Sequence, residues 1–223
     1  MNTSVTNAAR LLGAGLRALL VLTVVTGIVY PLVVTGIAQG LFPGNANGSE
    51  TKADGGRVVG SSLIGQAYNL PLKEGQETPE PDLKWFQGRP QNGLGTNTVN
   101  TQYDLILSGA TNRSADNAEL AQWVKDAKAA VVKDNSVPGH RVAPADVPAD
   151  AVTSSGSGLD PDISPEYADL QVHRVAEKNG LPAERVQTLV DRHTEPRTLG
   201  FIGEPRVNVL ELNIALGELA AGH

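Results

Sequence analysis

The sequence of 223 residues predicts an α+β protein, with a single N-terminal transmembrane helix and one extracytoplasmic α+β domain. Residues Leu11–Ala38 read LLGAGLRALLVLTVVTGIVYPLVVTGIA and carry no charge after Arg17. Residues 39–223 hold every acidic side chain and show helical periodicity between glycine-rich and proline-rich turns. We therefore predict a cytoplasmic N-terminus at 1–10, a transmembrane helix at 11–38 and an extracytoplasmic domain at 39–223.

The apolar stretch has the length of a membrane span, since about 20 residues of α-helix cover the roughly 30 Å of a bilayer's hydrocarbon core. The alternative is a signal peptide cleaved after the small residues at 36–38. An apolar signal core usually runs only about 7–15 residues, which favours an uncleaved anchor. Arg10 and Arg17 precede the span and no acid occurs before Gln39, so the N-terminus is expected in the cytoplasm.

Small residues recur along the span. Thr23, Gly27, Pro31 and Thr35 are spaced by four, and Gly36 and Gly40 form a GxxxG pair near the outer end. Small residues allow two helix backbones to approach closely, whereas lipid gives no reason to gather them. We predict a face that packs on a partner helix, with chance occurrence of Gly and Thr as the alternative. Pro31 removes one backbone hydrogen bond and is expected to kink the helix.

Composition limits the function of the predicted exterior domain. Removing Arg10 and Arg17 from the 18 basic residues leaves 16 against 24 acidic ones, a net charge of −8. This balance argues against binding to nucleic acid or to an anionic lipid surface. The chain has no cysteine, so the domain must fold on its core without disulfides or thiolate metal sites.

The first half of the domain gives weak structural signals. The patterns predict a strand or bent strand pair at 57–65, a loop at 71–81, core positions for Trp85 and Phe86, and a short segment at 105–107. A helix is predicted at 116–132 from the apolar spacing of Leu120, Val124, Ala127 and Val131, with Ser114 or Asp116 as its cap. Residues 137–148 contain prolines and predict no helix, and 152–159 predict a short strand entering a Ser/Gly loop.

The second half predicts three helices. Ser164 caps a helix that starts at Pro165, runs to about Lys178 and stops at Gly180. Pro182 starts another that ends near His193, with Val186, Leu189 and Val190 turned inward. Asn208 and Glu211 have capping-box spacing at the start of a last helix, 208–220, whose inner face is Val209, Leu212, Leu216 and Leu219.

Catalytic motifs are scarce. The sequence contains no GxxxxGK[ST] loop, and Ser155-Gly156-Ser157-Gly158 lacks the glycine spacing of a G-x-S-x-G nucleophile elbow. The four histidines have no HxxxH or HExxH spacing, and His173 is expected on a helix surface or in helix packing. Asp160 and Asp162 suggest either a cation site or an Asx-type turn before the next helix, and the turn is favoured because Pro165 stands where a calcium loop needs glycine. The helix pair 165–193 has a helix-turn-helix outline, but its balanced charge argues against DNA binding.

Four stretches resemble one known family. They are GSSLIGQ at 60–66, FQGRP at 86–90, VTSSGSGLDPDISP at 152–165 with QVHRVA at 171–176, and GEPRVNVLELN at 203–213, together with Tyr30-Pro31-Leu32 in the span. In this order they resemble the C subunit of the Kdp potassium-transporting P-type ATPase of bacteria and archaea. The motif residues are Gly60, Ser61, Gly65, Gln66, Gly88, Arg89, Pro90, Ser155, Gly156, Ser157, Gly158, Leu159, Asp160, Pro161, Ser164, Gln171, Arg174, Val175, Gly203, Val207, Asn208, Leu212 and Asn213.

The resemblance implies an accessory subunit of a high-affinity, ATP-driven potassium uptake complex in the cell membrane. Its implied partners are a channel-like potassium-translocating subunit, a P-type ATP-hydrolysing subunit and membrane lipid. ATP, Mg²⁺ and K⁺ would act at the level of the complex, with no cofactor or metal bound by this chain. The family role implied is in assembly and as a catalytic chaperone that raises ATP affinity. An exterior domain cannot touch cytoplasmic ATP, so that effect would have to pass allosterically through the span.

Two loops depart from the family pattern. Gln91-Asn92 replaces a usual Ser-Ala after Gly-Arg-Pro, and residues 108–113 replace a Ser-Gly-Gly-Ser-Asn run. Two other functions stay open on residues alone: an anchored extracytoplasmic hydrolase that uses Ser157, and a secreted binding protein released by cleavage after Ala38.

Overall fold

The computed structural model describes residues 3–76, 78–90 and 108–222. The chain divides into two compact units, Met1–Glu50 and Thr51–His223. The first unit consists of helix α1 (Thr3–Val24), a π-helical turn (Val25–Val29), helix α2 (Tyr30–Leu41) and the short helix α3 (Pro43–Ala46).

Residues Ser4–Leu41 form one long apolar helix, whose most apolar stretch is not buried by any of the described residues. It covers the span predicted at 11–38. In the described ranges it is the one helix long and apolar enough to cross a membrane. A helix that is apolar on all faces and uncovered by its own chain is suited to lipid or to partner helices.

The predicted disturbance at Pro31 takes the form of the π-helical turn that precedes it. Proline has no N–H to donate, and the N–H of Tyr30 bonds to the oxygen of Val25, five residues back. The Thr26 hydroxyl also donates to Leu22 O at 2.7 Å. In an α-helix, side chains four residues apart are rotated from each other by about 40° around the helix axis. A π turn contains more residues per turn, so each residue adds less rotation. The π turn therefore brings Pro31 back toward the helix face that carries Thr23.

As far as it is described, the second unit contains four α-helices, three short 3₁₀ turns and two small sheets. The strands are β1 (Glu50–Lys52), which starts at the unit boundary, β2 (Val58–Ser61), β3 (Asp162–Ile163), β4 (Thr194–Glu195) and β5 (Arg206–Asn208). The helices are α4 (Ala118–Asn135), α5 (Pro165–Asn179), α6 (Ala183–His193) and α7 (Val209–Ala221). Strands β1 and β2 pair with each other, and the second sheet has the antiparallel order β3-β5-β4.

The core lies where α5, α6 and α7 pack on the second sheet and on the loop before residue 90. Its centre is formed by side chains that are almost completely buried: Phe86, Ile163, Ala168, Val172, Val175, Val186, Val190, Val207, Leu212 and Leu216. Phe86 therefore lies in the core as predicted, while Trp85 packs at its edge. The apolar stripe predicted for α4 is half-buried.

The predicted caps of α5 and α7 are confirmed. Ser164 Oγ accepts from Tyr167 N at 3.1 Å, and Gly180 ends α5 in the left-handed conformation at φ 67°. Asn208 Oδ1 accepts from Glu211 N at 3.2 Å at the start of α7. The cap predicted for α4 is wrong: Asn117, not Ser114 or Asp116, accepts from Leu120 N at 2.9 Å. Ser114 Oγ instead donates to the Asp116 carboxylate.

Several loop and strand predictions need correction. Residues 152–159 form no strand, because the serine and glycine residues there take turn conformations, and the strand lies at β3 instead. Residues 137–148, predicted without helix, contain a 3₁₀ turn at Pro144–Asp146. The predicted strand at 57–65 is confined to β2, since the chain turns after Ser61. The loop at 71–81 is observed, and the segment predicted at 105–107 lies outside the described residues.

Candidate functional site

Three buried polar side chains hold the backbone of residues 83–87, a segment without regular secondary structure. We call Gln171, Arg174 and Asn213 the backbone clamp. All three are family-motif residues, and all are buried. A buried backbone needs hydrogen-bond partners, and here the partners are side chains of α5 and α7.

Asn213 and Gln171 each bind one residue of this segment through both backbone groups. Asn213 accepts from Phe86 N and donates to Phe86 O, both at 2.9 Å. Gln171 accepts from Gln87 N at 2.7 Å and donates to Gln87 O at 3.1 Å. The two amides thereby fix the position of Phe86 in the core.

Arg174 is fully buried and makes no ion pair shorter than 4 Å within the described residues. Its guanidinium donates to Leu83 O, to Trp85 O at 3.0 Å, to Asn135 Oδ1 at 2.8 Å and to Gln171 Oε1 at 2.6 Å. Burial lowers the pKa of Arg174 to about 10, so the side chain stays charged at neutral pH. The groups in direct contact with this charge are carbonyl and amide oxygens, while the carboxylates of Asp134 and Asp82 favour the charged form from farther away.

A second group of motif residues forms the loop cluster, defined as residues 62–66, 88–90 and 155–161. Gly65 N donates to Leu159 O at 2.8 Å, and a Cβ on Gly65 would lie 2.5 Å from Asp160 O. Arg89 forms an ion pair with Asp160 at 3.2 Å and donates to Ser154 O at 3.3 Å. Three distant stretches of sequence therefore meet at Asp160.

Strand β5 and the turn after β2 complete the cluster. Asn208 Nδ2 donates to Ser62 O at 2.9 Å and to Asp162 Oδ1 at 3.2 Å, and Gln66 Nε2 donates to Val59 O at 2.9 Å. The remaining motif residues have structural positions: Gly60 and Ser61 in β2, Val175 and Leu212 in the core, and Val207 in β5. Gly203 lies in the connection between β4 and β5.

The altered loop at 108–113 reaches the loop cluster. Gly109 N donates to Ser157 O at 2.8 Å, and Ser108 Oγ donates to the same oxygen at 3.2 Å. Gly158 has φ 68°, and a Cβ there would lie 2.9 Å from Gly109 O, so only glycine fits easily. Gln91 and Asn92 lie outside the described residues.

The acidic residues before α5 form a turn, as predicted. Asp160 Oδ1 accepts from Asp162 N at 3.1 Å, which closes an Asx-type turn. The other Asp160 oxygen bonds to Arg89, and Asp162 pairs with Arg206 at 3.2 Å. Over the described ranges, no three metal-ligating side chains come together. The pair is therefore better explained by chain geometry than by a cation.

In the described part of the chain, the hydroxyls of the serine loop bond only to each other and to the backbone of their own loop. Ser157 Oγ lies 3.3 Å from Ser155 Oγ and accepts from Leu159 N at 3.1 Å. Within the described residues, neither serine has a hydrogen bond to a histidine. An activated serine needs such a base, so the geometry gives no support to the hydrolase alternative.

His140 and His173 stack on each other outside both groups. Their ring centroids are 3.8 Å apart and the planes differ by 14°. Desolvation lowers the pKa of His173 below its ordinary value, and the neighbouring His140 lowers it further. His173 lies on the exposed side of α5, as the sequence predicted for a helix-surface histidine.

We expect this stack to make the domain slightly less stable in mild acid. A histidine with a lowered folded-state pKa binds fewer protons when folded, so its stabilising effect is complete above about pH 6.5 and is lost as the pH falls. In urea unfolding of the full-length chain at pH 5 to 7.5, His173→Gln should reduce the dependence of the unfolding free energy on pH. Lys178→Gln is the control, since it changes another exposed side chain of the same helix and leaves the histidine stack intact. An unchanged pH dependence in His173→Gln would contradict the prediction.

Over the described residues, the helix of Ser4–Leu41 and the α+β unit define a protein with one helix of membrane-spanning length and a separate α+β unit. The sequence model of the KdpC family, described as K⁺-transporting ATPase, c chain, matches residues 12–218. The chain belongs to this family.

Named relatives match over nearly the whole chain. The "Potassium-transporting ATPase KdpC subunit" of Streptomyces coelicolor is 87% identical over 221 residues, covering 99% of this chain and 98% of the relative. The subunit of the same name from Streptomyces avermitilis is 81% identical over 221 residues, 99% of each chain. That of Gemmatimonas aurantiaca is 47% identical over 210 residues, 92% of this chain and 94% of the relative. The family resemblance inferred from the motifs is confirmed.

Proposed function

We propose that this chain is a non-catalytic accessory subunit that assembles and stabilises a potassium-transporting ATPase complex. Two observations support this proposal most strongly. The long N-terminal helix has the length of a membrane span and is not buried by the described residues. The chain also belongs to a family described as one chain of a K⁺-transporting ATPase. The span packs on a partner helix through Thr23, Gly27, Pro31 and Thr35, with Gly36 and Gly40 near its outer end. Cβ atoms built at Gly27, Gly36 and Gly40 meet no described atom within 4 Å beyond the backbone of their own helix, which leaves room for another helix.

In this proposal the partners are a channel-like potassium-translocating subunit and a P-type ATP-hydrolysing subunit, which bind K⁺, Mg²⁺ and ATP. The N-terminus lies in the cytoplasm, because Arg10 and Arg17 flank the inner end of the span, and the domain lies outside. Any chaperone effect on ATP affinity then passes through the span as a coupling between two sites. The rigidly clamped domain and the serine loop without a base are consistent with a structural role.

The first test is co-purification of the tagged full-length chain in detergent from its own host grown at very low potassium. We expect a large P-type ATPase and a channel-like membrane protein in the same fraction, with potassium-stimulated ATP hydrolysis. If the chain is recovered alone while the other two still assemble and pump, the accessory role is wrong. Activity of the purified chain that is abolished by Ser157→Ala would favour the hydrolase. A mature chain beginning after Ala38 would favour the secreted protein.

The same preparation tests the helix face. We expect Gly27→Leu to reduce recovery of the other subunits about tenfold or more, because a leucine side chain separates backbones that pack at a small residue. Leu20→Val changes a large residue in the same span by one methylene and serves as the control. Equal recovery of the partners with Gly27→Leu and Leu20→Val would show that Gly27 does not face a helix.

A further inference from the structure

The connection between β4 and β5 exposes three large apolar side chains at one turn. Leu199, Phe201 and Ile202 are 79%, 73% and 51% exposed. We call them the apolar tip. Together they present roughly 400 Å² of apolar surface, comparable to the largest patch on a typical monomer, which is often functional.

The backbone of the tip is fixed. Thr198 N donates to Ile202 O at 2.9 Å and Ile202 N to Thr198 O at 3.0 Å, while Gly200 N donates to Arg197 O at 3.0 Å. Leu199 has φ 54°, a conformation that costs free energy for a bulky side chain. Among the described residues Leu199 stays 79% exposed, so packing there does not offset this cost, and the strain points to a use of the tip outside the chain.

Charged pairs surround the tip. Arg197 pairs with Glu204, and Arg206 pairs with Glu195 at 2.6 Å. The four charges cancel, and the tip contains neither the surplus of lysine and arginine nor the tryptophan or tyrosine typical of loops that enter a membrane surface. An apolar centre within a polar rim is the usual anatomy of a protein–protein contact.

The size of the patch indicates which protein it fits. A stable contact between free proteins buries about 800 Å² on each partner, roughly twice the tip. A second copy of this chain or a soluble protein would therefore bind weakly through the tip alone. A partner already held beside the chain in the membrane needs a smaller contact, since its effective concentration is high.

We propose that the apolar tip docks into an apolar, charge-rimmed pocket on a membrane-embedded subunit of the same transporter. This inference rests on the proposed function, because it requires such a subunit. A preformed loop binds a protein pocket of matching shape with little loss of conformational entropy. Insertion into fluid lipid depends on apolar area and gains nothing from a fixed loop shape. The tip thus supplies a second attachment point, independent of the span.

A photo-crosslinking amino acid at Phe201 tests the partner. Placed in the full-length chain within the co-purified complex, it should crosslink to a membrane subunit, and the same probe at Leu72, 57% exposed in the 71–81 loop, should not. Crosslinks to lipid, to a second copy of this chain or to nothing, in a complex that still co-purifies, would overturn the proposal. Failure of the complex to co-purify would instead refute the proposed function.

A substitution series tests the strength of the contact. We expect Phe201→Ser to speed release of the chain from the detergent-solubilised complex about tenfold, the size of effect typical for an aromatic anchor. Leu72→Ser, which also removes an exposed apolar side chain, should leave the release rate unchanged. Leu199→Asn relieves strain at a position where asparagine tolerates positive φ, and should keep the domain folded while weakening docking. A release rate equal to that of the unchanged chain in both tip variants would overturn the proposal.

Discussion

Replacing Arg174 with methionine should lower the free energy of unfolding of the domain by about 3 kcal/mol or more, because several buried or partly buried acceptors lose their donor at once. Leu83 O and the side-chain oxygen of Asn135 lose the guanidinium, and Trp85 O keeps only the bond from Gln87 Nε2 at 3.3 Å. Each buried acceptor without a partner costs about 1–3 kcal/mol, and removal of the buried charge offsets part of the sum. The stability of Arg174→Lys should lie between that of the unchanged chain and that of Arg174→Met, since an ammonium group cannot make all the hydrogen bonds of a planar guanidinium.

Urea unfolding of the full-length chain in detergent, followed by tryptophan fluorescence, measures this loss. Trp85 and Trp123 both belong to the unit Thr51–His223, so the signal reports that unit. Arg185→Met, at an exposed position of α6, is the matched control and should change stability by less than about 0.5 kcal/mol. If Arg174→Met and Arg185→Met unfolded at the same urea concentration, the hydrogen bonds of Arg174 would not stabilise the domain.

Gly65→Ala should destabilise the domain by about 2 kcal/mol through a backbone collision. The added methyl group would stand 2.5 Å from Asp160 O, so one of two loops must move and the bond from Gly65 N to Leu159 O must lengthen or break. Because the Asp160 carboxylate pairs with Arg89, that movement should also loosen the 88–90 loop.

Gly88→Ala is the control within the same cluster, since a Cβ at Gly88 meets nothing within 4 Å. Both variants are compared by urea unfolding and by recovery of the assembled complex. We expect Gly65→Ala to unfold at lower urea and Gly88→Ala to resemble the unchanged chain. If Gly65→Ala is as stable as Gly88→Ala, the close approach of the two loops is not required for the fold.

The helices and their caps could be predicted because their signals are local. Ser164, Gly180 and Asn208 each act within four residues of the helix end that they cap. Asn117 was missed because Ser114 and Asp116 have equal cap propensity, and the choice depends on where the helix packs. The strand predicted at 152–159 was wrong because Val152 and Thr153 favour strands only until the serines and glycines that follow form turns.

The strands and the candidate site needed information that a single sequence does not carry. Strands β3 and β4 have two residues each, too few for an alternating pattern. The contacts of the backbone clamp join residues 84 to 127 positions apart, apart from the Arg174 bonds to Gln171 and Asn135. The motif resemblance did point to Gln171, Arg174 and Asn213, but it gave no hint of their main-chain partners. The helix face in the span stays a prediction, since it concerns another protein.

The two amides of the clamp act as substitute peptide groups. A strand residue in a ladder exchanges one N–H and one C=O bond with its neighbour, and Phe86 and Gln87 make this same exchange with Asn213 and Gln171. The segment 83–87 therefore has a register, as a strand does, although none of the described strands pairs with it. Amino-acid substitutions at its outward-facing positions would leave this register unchanged. The insertion of a single residue would shift the backbone, so the side-chain amides of Asn213 and Gln171 would face the wrong backbone groups. The length of this segment therefore matters more for the fold than the identity of its outward side chains.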